Sequence, residues 1–212
     1  MKYRELRASL AKYPFFTREM LEEGEQVLVQ CSNWTQKGLL YRLKRGVYVF
    51  NDMDRKTYCS DYHLANSLYQ PSYISLEAAM EFYGLIPERV YETTSVTTKK
   101  TAKFSNQAGR FTYKSIACHA FNYFVSKKDE FGFDYNIAIP EKALCDYFYF
   151  KVKTKDHIEL DFFDLSLRLQ NYEILDIEKL IEIAHSMKSR KVRDIVGLLI
   201  RFIQEEGECP NV

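Results

Sequence analysis

The hydrophobic pattern changes period abruptly at Gly38, and this change constrains the fold more than any other feature of the chain. From about Gln26 to Lys37, Val27, Cys31, Trp34 and Thr35 recur at helical spacing, with Leu28 at the margin of the same face. Gly38 supplies the stop. Beyond it, Leu39-Leu40-Tyr41-Arg42-Leu43 and Val47-Tyr48-Val49-Phe50 are short β-type runs around Lys44-Arg45-Gly46, and Gly46 offers the positive φ that a tight hairpin needs. Upstream, Tyr3, Leu6 and Leu10 predict a first helix closed by Pro14. Thr17 is placed to cap a second, short helix with Met20 and Leu21 inward and Gly24 as its stop. Three short helices followed by a basic hairpin form the order of a winged helix-turn-helix, spanning residues 1–53. In such a head Trp34 is expected to be buried against Leu6 or Leu10.

The outward face of the third helix carries Gln26, Val29, Gln30, Ser32, Asn33, Gln36 and Lys37. Gln and Asn amides pair with an adenine edge, a Ser hydroxyl serves either role, and Val meets a thymine methyl. Arg42, Lys44 and Arg45 on the hairpin suit phosphates or a minor groove. No acidic residue occurs between Glu25 and Asn51, so nothing there repels a phosphate backbone. The whole chain carries a formal charge of only +1, but residues 1–50 hold nine Lys/Arg against five Asp/Glu. Residues 51–150 and 151–212 are slightly acidic by the same count, so positive charge is concentrated at the amino-terminal end. The expected partner is double-stranded DNA. Winged helices also dock proteins, and a protein-interaction module without DNA binding is the first alternative.

The polar run 51–56 is the best boundary in the chain, and residues 57–212 predict an α+β body with a helical carboxy-terminal part. Helices are expected from Asp61 to Leu68, from Leu76 to Tyr83 with Ser75 as cap, and from Glu141 to Phe150 with Pro140 opening it. Strands are expected at Tyr73-Ile74, Val90–Thr98, Arg110–Ile116 and Tyr135–Ile139, with a turn over Asn106–Gly109. The tail predicts helices over Phe162–Leu169, Ile177–Met187 and Val192–Ile203.

The amino terminus passes directly into mixed charge, and no apolar run is long enough to span a bilayer. The five cysteines are odd in number, widely spaced and never in C-x-x-C, as expected of free thiols in the cytoplasm. His63, His119, His157 and His185 form no metal-ligand pattern. His157 lies four residues before Asp161, with Glu159 and Asp164 close by, but the lysines around it suit an exposed charged segment better than a metal site. There is no G-x-G-x-x-G and no Walker sequence. Neither a metal nor a cofactor is expected.

Two further groups remain. Glu141, Lys142 and Asp146 form the most enzyme-like cluster, although a helix-start carboxylate and an i, i+4 pair are commonly architectural. Thr97, Thr98, Lys99, Lys100 and Lys103 make a second candidate patch for nucleic acid or another partner. A second alternative function is an enzyme acting on nucleic acid or nucleotide, with the head used for targeting. It predicts a polar cleft with perturbed acids within residues 57–150.

Three stretches together resemble a known family: Lys37–Tyr48; Ser72–Pro87 with the strand Thr94–Lys99 behind it; and Ile137–Asp146. In this order they are similar to the AbiEi-type antitoxins, transcriptional regulators of bacterial type IV toxin–antitoxin and abortive-infection (antiviral defence) systems. The resemblance covers most of residues 15–150 and says little of the tail. It implies a non-enzymatic protein that represses its own operon by binding the operator. It also implies that the larger carboxy-terminal domain opposes a toxin resembling a nucleotidyltransferase without forming a stable complex with it.

Overall fold

The computed structural model describes the backbone of residues 2–21, 25–152 and 158–208, and side chains over 2–21, 29–152 and 158–205. The chain is a mixed α+β protein. It opens with α1 (Tyr3–Leu10), which buries Leu6 and Leu10. The next segment departs from expectation. Phe16–Thr17 is a two-residue strand, β1, and Arg18–Met20 is a single 3-10 turn, so the expected second helix is absent among the described residues. The pairing of Phe16 and Thr17 with Tyr48 and Val47 outcompetes helix formation in so short a segment. Then follow α2 (Glu25–Gln36), β2 (Leu40–Lys44) and β3 (Val47–Phe50). The three strands form an antiparallel sheet in the order β1-β3-β2.

The period change at Gly38 has the structural meaning the sequence predicts. Gly38 takes φ +69°, and the Leu39 amide returns to the Trp34 carbonyl at 2.9 Å, satisfying a helix-end acceptor. Gly46 takes φ +80° at the hairpin turn.

The body follows as α3 (Asp61–Leu68), β4 (Ser72–Ile74), α4 (Leu76–Phe82), β5 (Glu92–Thr97), β6 (Ala102–Asn106), β7 (Gly109–Ser115), β8 (Phe124–Lys128), β9 (Asp134–Ala138), α5 (Pro140–Phe150), α6 (Ile177–Ser186) and α7 (Arg190–Glu208). Its six strands run β6-β7-β5-β4-β9-β8, with β4–β9 and β5–β7 parallel and the other pairs antiparallel. Helices cover both faces. The Tyr113 hydroxyl donates to the Ala65 carbonyl of α3 from one side. From the other, Thr94 donates to the Ser75 carbonyl and accepts from the Ala78 amide of α4. Helices α5, α6 and α7 pack on one another beyond α4.

Two local expectations change. The strand β8 carries no strand signal in its sequence, because Phe-Val-Ser-Lys-Lys is half polar and lies at the sheet edge. Phe162–Ser166 is one π turn rather than a helix to Leu169.

The β2–β3 hairpin is buried on both faces. Leu40, Tyr48 and Phe50 join Leu6, Leu10, Phe16 and Cys31 in a small amino-terminal core. Leu43, Val47 and Val49 point the other way, into the main core of the body. A bulge between Arg42 and Lys44 turns the strand at this point. The run after the hairpin is tied down as well. Asp54 accepts from the Tyr3 hydroxyl at 2.7 Å and pairs with Arg7, and Thr57 donates to the Ala11 carbonyl at 2.7 Å.

Asp54 therefore holds α1 against the connection to the body. Replacing it with Ala should lower unfolding free energy by about 1.5–3 kcal/mol, the range for hydrogen bonds to a charged group. The exposed Asp52→Ala control should change it far less. Urea titration of both variants checks this.

Candidate nucleic-acid interface

Over its described side chains, helix α2 packs one face and exposes most of the other. Cys31 is fully buried, and burial pushes its thiol up to about 11. Trp34 is partly buried and packs against the core containing Leu6 and Leu10, as expected, and its ring meets Tyr3 edge-on at 5.5 Å. Thr35 turns back to donate to the Cys31 carbonyl at 2.8 Å. On the opposite face Ser32, Asn33, Gln36 and Lys37 are exposed, and Val29 is 63% exposed. An isolated Val open to water on a packed helix leaves its methyls free for contact. Gln30 is the exception on this face: it is half-buried, and its Oε1 is sealed from solvent with no hydrogen-bond partner among the described residues. Its helical position puts it at the border of the two faces, which spacing alone does not separate. Gln26, and Val27 and Leu28 expected on the inner face, lie outside the described side chains.

The three hairpin cations divide. Arg42 and Arg45 are exposed. Lys44 instead reaches the carbonyl of Leu68 at the end of α3. Burial lowers its pKa, the charge of Lys99 lowers it further, and Glu19 opposes both. The bulge that turns Lys44 toward the body corrects the expectation that it reaches outward to phosphate. Arg18, which no sequence pattern singles out, is exposed beside the hairpin turn, with its amide on the Gly46 carbonyl at 2.9 Å. Only the pairing of the two-residue strand before it brings it there, and no periodicity signals so short a strand.

The second patch also divides. Thr97 leaves it: the residue is fully buried and donates to the Pro71 carbonyl at 2.6 Å. Thr98 is half-buried, while Lys99, Lys100 and Lys103 are exposed.

Glu141, Lys142 and Asp146 are 4%, 0% and 0% exposed, so this cluster is sealed from solutes. Lys142 pairs with Asp146 one turn along α5. The other carboxylate oxygen of Asp146 accepts from the Tyr73 hydroxyl at 2.9 Å and from the Ser75 hydroxyl at 2.8 Å. Burial raises the Asp146 pKa, while the Lys142 charge and these hydrogen bonds act to lower it. Glu141 accepts from the Asp176 amide at 2.8 Å, anchoring the start of α6. Local patterning marks Tyr73 and Ser75 only as a strand residue and a cap. Ser75 makes no side-chain cap bond, because its hydroxyl serves Asp146.

An open cleft of about 650 Å³ lies among α3, the end of α4 and the turns at Ala108 and Phe131. Its walls include Arg55, Asp61, Glu81, Arg89 and Tyr91. Burial raises the pKa of Asp61, and the Arg55 charge opposes this. The enzyme alternative predicts such a cleft. Its lining thiol, Cys59, is pushed up to about 12 by burial, so it stays protonated near neutral pH. Among the described residues no group of three or more His, Cys, Asp or Glu is placed to share a metal ion, and none of their helices is long and apolar enough to cross a membrane. His157 lies outside the described residues.

Comparison with protein-family models and with curated proteins finds no match to this chain.

The Lys142–Asp146 pair gives a stability prediction. Lys142→Met or Asp146→Leu alone should cost about 3–5 kcal/mol, because each leaves an uncompensated buried charge. The double variant should recover much of that loss. Thermal and urea denaturation of the two singles and the double check this cycle.

Proposed function

We propose that the protein is a DNA-binding transcriptional regulator whose amino-terminal segment works as a winged helix-turn-helix. One observation carries this reading: α2 is packed through Cys31 and Trp34 while Val29, Ser32, Asn33 and Gln36 stand in solvent on its opposite face. A helix that discriminates bases must present amides and methyls from a rigid, packed element. Helix α2 ends directly into a hairpin with exposed Arg42 and Arg45, and Arg18 lies beside that hairpin's turn. These cations suit phosphates flanking the groove that α2 would enter. Lys37, which directly follows α2, also suits a phosphate better than a base.

Asn33 and Gln36 are three residues apart on the exposed face and are the strongest base-reading pair. Gln30 takes a packing role instead, given its buried amide oxygen. A duplex selected by the protein from a random library supplies the test site. Asn33→Ala or Gln36→Ala should lose about 1–3 kcal/mol of preference for that duplex over a scrambled one at fixed salt, with little change in non-specific affinity. Equal losses on both duplexes would assign these residues to positioning.

The resemblance to AbiEi-type antitoxins extends the proposal to a second role. The body would oppose a toxin resembling a nucleotidyltransferase, and the head would repress the shared operon. Its helical layer is organised internally by Lys142, Asp146 and Glu141, which are sealed from solvent, so in this reading they support the body's fold and a partner would be met elsewhere. Co-expression with a nucleotidyltransferase-like toxin from the same operon should restore growth, and the two proteins should not co-purify. A stable stoichiometric complex would reject the type IV assignment.

A further inference from the structure

Residues 93–128 contain no Asp or Glu, yet they carry Lys99, Lys100, Lys103, Arg110, Lys114, Lys127 and Lys128. A second acid-free stretch runs from Gln26 to Asn51 and includes the basic hairpin. The fold sets the two beside each other. Strand β2 is an edge of the small sheet, β6 is an edge of the large one, and the two edges pack together. The Asn106 side chain donates to the Leu43 carbonyl at 2.9 Å across this junction.

The junction brings cations within range of one another. Lys44 reaches the Leu68 carbonyl, Lys99 lies 5.6 Å from the ring centre of neighbouring Tyr69, and the Tyr69 hydroxyl donates to the Lys100 carbonyl at 3.0 Å. The charge of Lys99 depresses the pKa of Lys44, so the two ammonium groups repel across the junction. Among the described residues Glu19 acts on Lys44 in the opposite direction. A lysine on an edge strand also discourages unwanted strand pairing, which is reason enough for Lys103. That role does not extend to Lys99 and Lys100, which lie in the turn between β5 and β6.

We infer that Lys99, Lys100 and Lys103 continue the hairpin's cationic surface onto the body as one phosphate-binding track, so that duplex DNA is held by both parts of the chain. This inference rests on the DNA-binding reading and extends its footprint. A conventional wing ends in solvent and reaches phosphate with its tip. Here the hairpin is packed into the body and Lys44 is turned to an internal carbonyl, so the adjacent body lysines take over the outer part of that role. Lysine ammonium groups at a turn suit this task, because holding a phosphate requires charge and reach rather than fixed geometry.

The test uses the full chain, a library-selected duplex and a scrambled duplex, titrated at several salt concentrations. One variant combines Lys99→Ala, Lys100→Ala and Lys103→Ala. A control combines Lys188→Ala, Arg190→Ala and Arg193→Ala on exposed carboxy-terminal positions, giving the same change in net charge. Melting temperatures of both variants verify that they fold. The track variant should weaken binding to both duplexes by about tenfold or more and lower the salt slope by about one for each phosphate that is no longer neutralised. The control should leave both quantities near wild type. Unchanged affinity and slope in a folded track variant would overturn the inference while leaving the DNA-binding reading intact. Equal losses in track variant and control would also overturn it, since net charge alone would then explain the effect. Absence of salt-dependent duplex binding by the wild-type chain would overturn the inference and the function it rests on.

Discussion

The two-sided burial of the β2–β3 hairpin is the constraint on which the rest of the molecule depends. A strand with one wet face alternates apolar and polar residues, but β3 is Val-Tyr-Val-Phe and all four side chains are buried. Its alternate residues therefore feed different cores: Tyr48 and Phe50 the amino-terminal one, Val47 and Val49 the main one. A one-residue slip in the hairpin would exchange these sets and mismatch both cores at once. The bulge at Arg42 and Lys44 belongs to the same arrangement, since it leaves Arg42 exposed while Lys44 turns to the body. What would be a free wing is thus a shared wall.

The body is organised around a different kind of constraint. Helix α5 is buried nearly all round, including Glu141, Lys142 and Asp146. Placing such groups inside is costly unless each finds a partner. Here Asp146 gathers Lys142, Tyr73 and Ser75, which come from α5, β4 and the start of α4, while Glu141 holds the amide before α6. These bonds fix the orientation of three elements more tightly than apolar packing, which has no direction. A motif that looks like chemistry in the sequence is used here for register.

Much of this is legible from local patterning. The helical period before Gly38, the hairpin after it, the extents of α3 and α6, and the strands β5, β7 and β9 all follow from near-neighbour chemistry. The outward face of α2 is legible too, apart from Gln30, because helical periodicity sorts positions by angle and leaves those at a face's border undecided. The strands β1 and β8 are not. Each is short or half polar, and each forms because a distant edge offers it a partner. Thr97 looks like part of a surface patch, yet it lies under Pro71, which only the pairing of β4 with β5 brings near.

By itself the sequence determined most of the element types, the concentration of positive charge toward the amino-terminal end and the exposure of most of α2's polar face. These depend on interactions within a few residues, where spacing and side-chain type are sufficient. Tertiary structure alone decided that Lys44 points inward, that Lys142 and Asp146 are sealed, and that the charge of Lys99 acts on Lys44. Each of those outcomes requires the edges of two sheets, or three separate elements, to meet. The physical reason is that burial and charge are properties of a position in space, and chain segments tens of residues apart share a position only once the cores have formed.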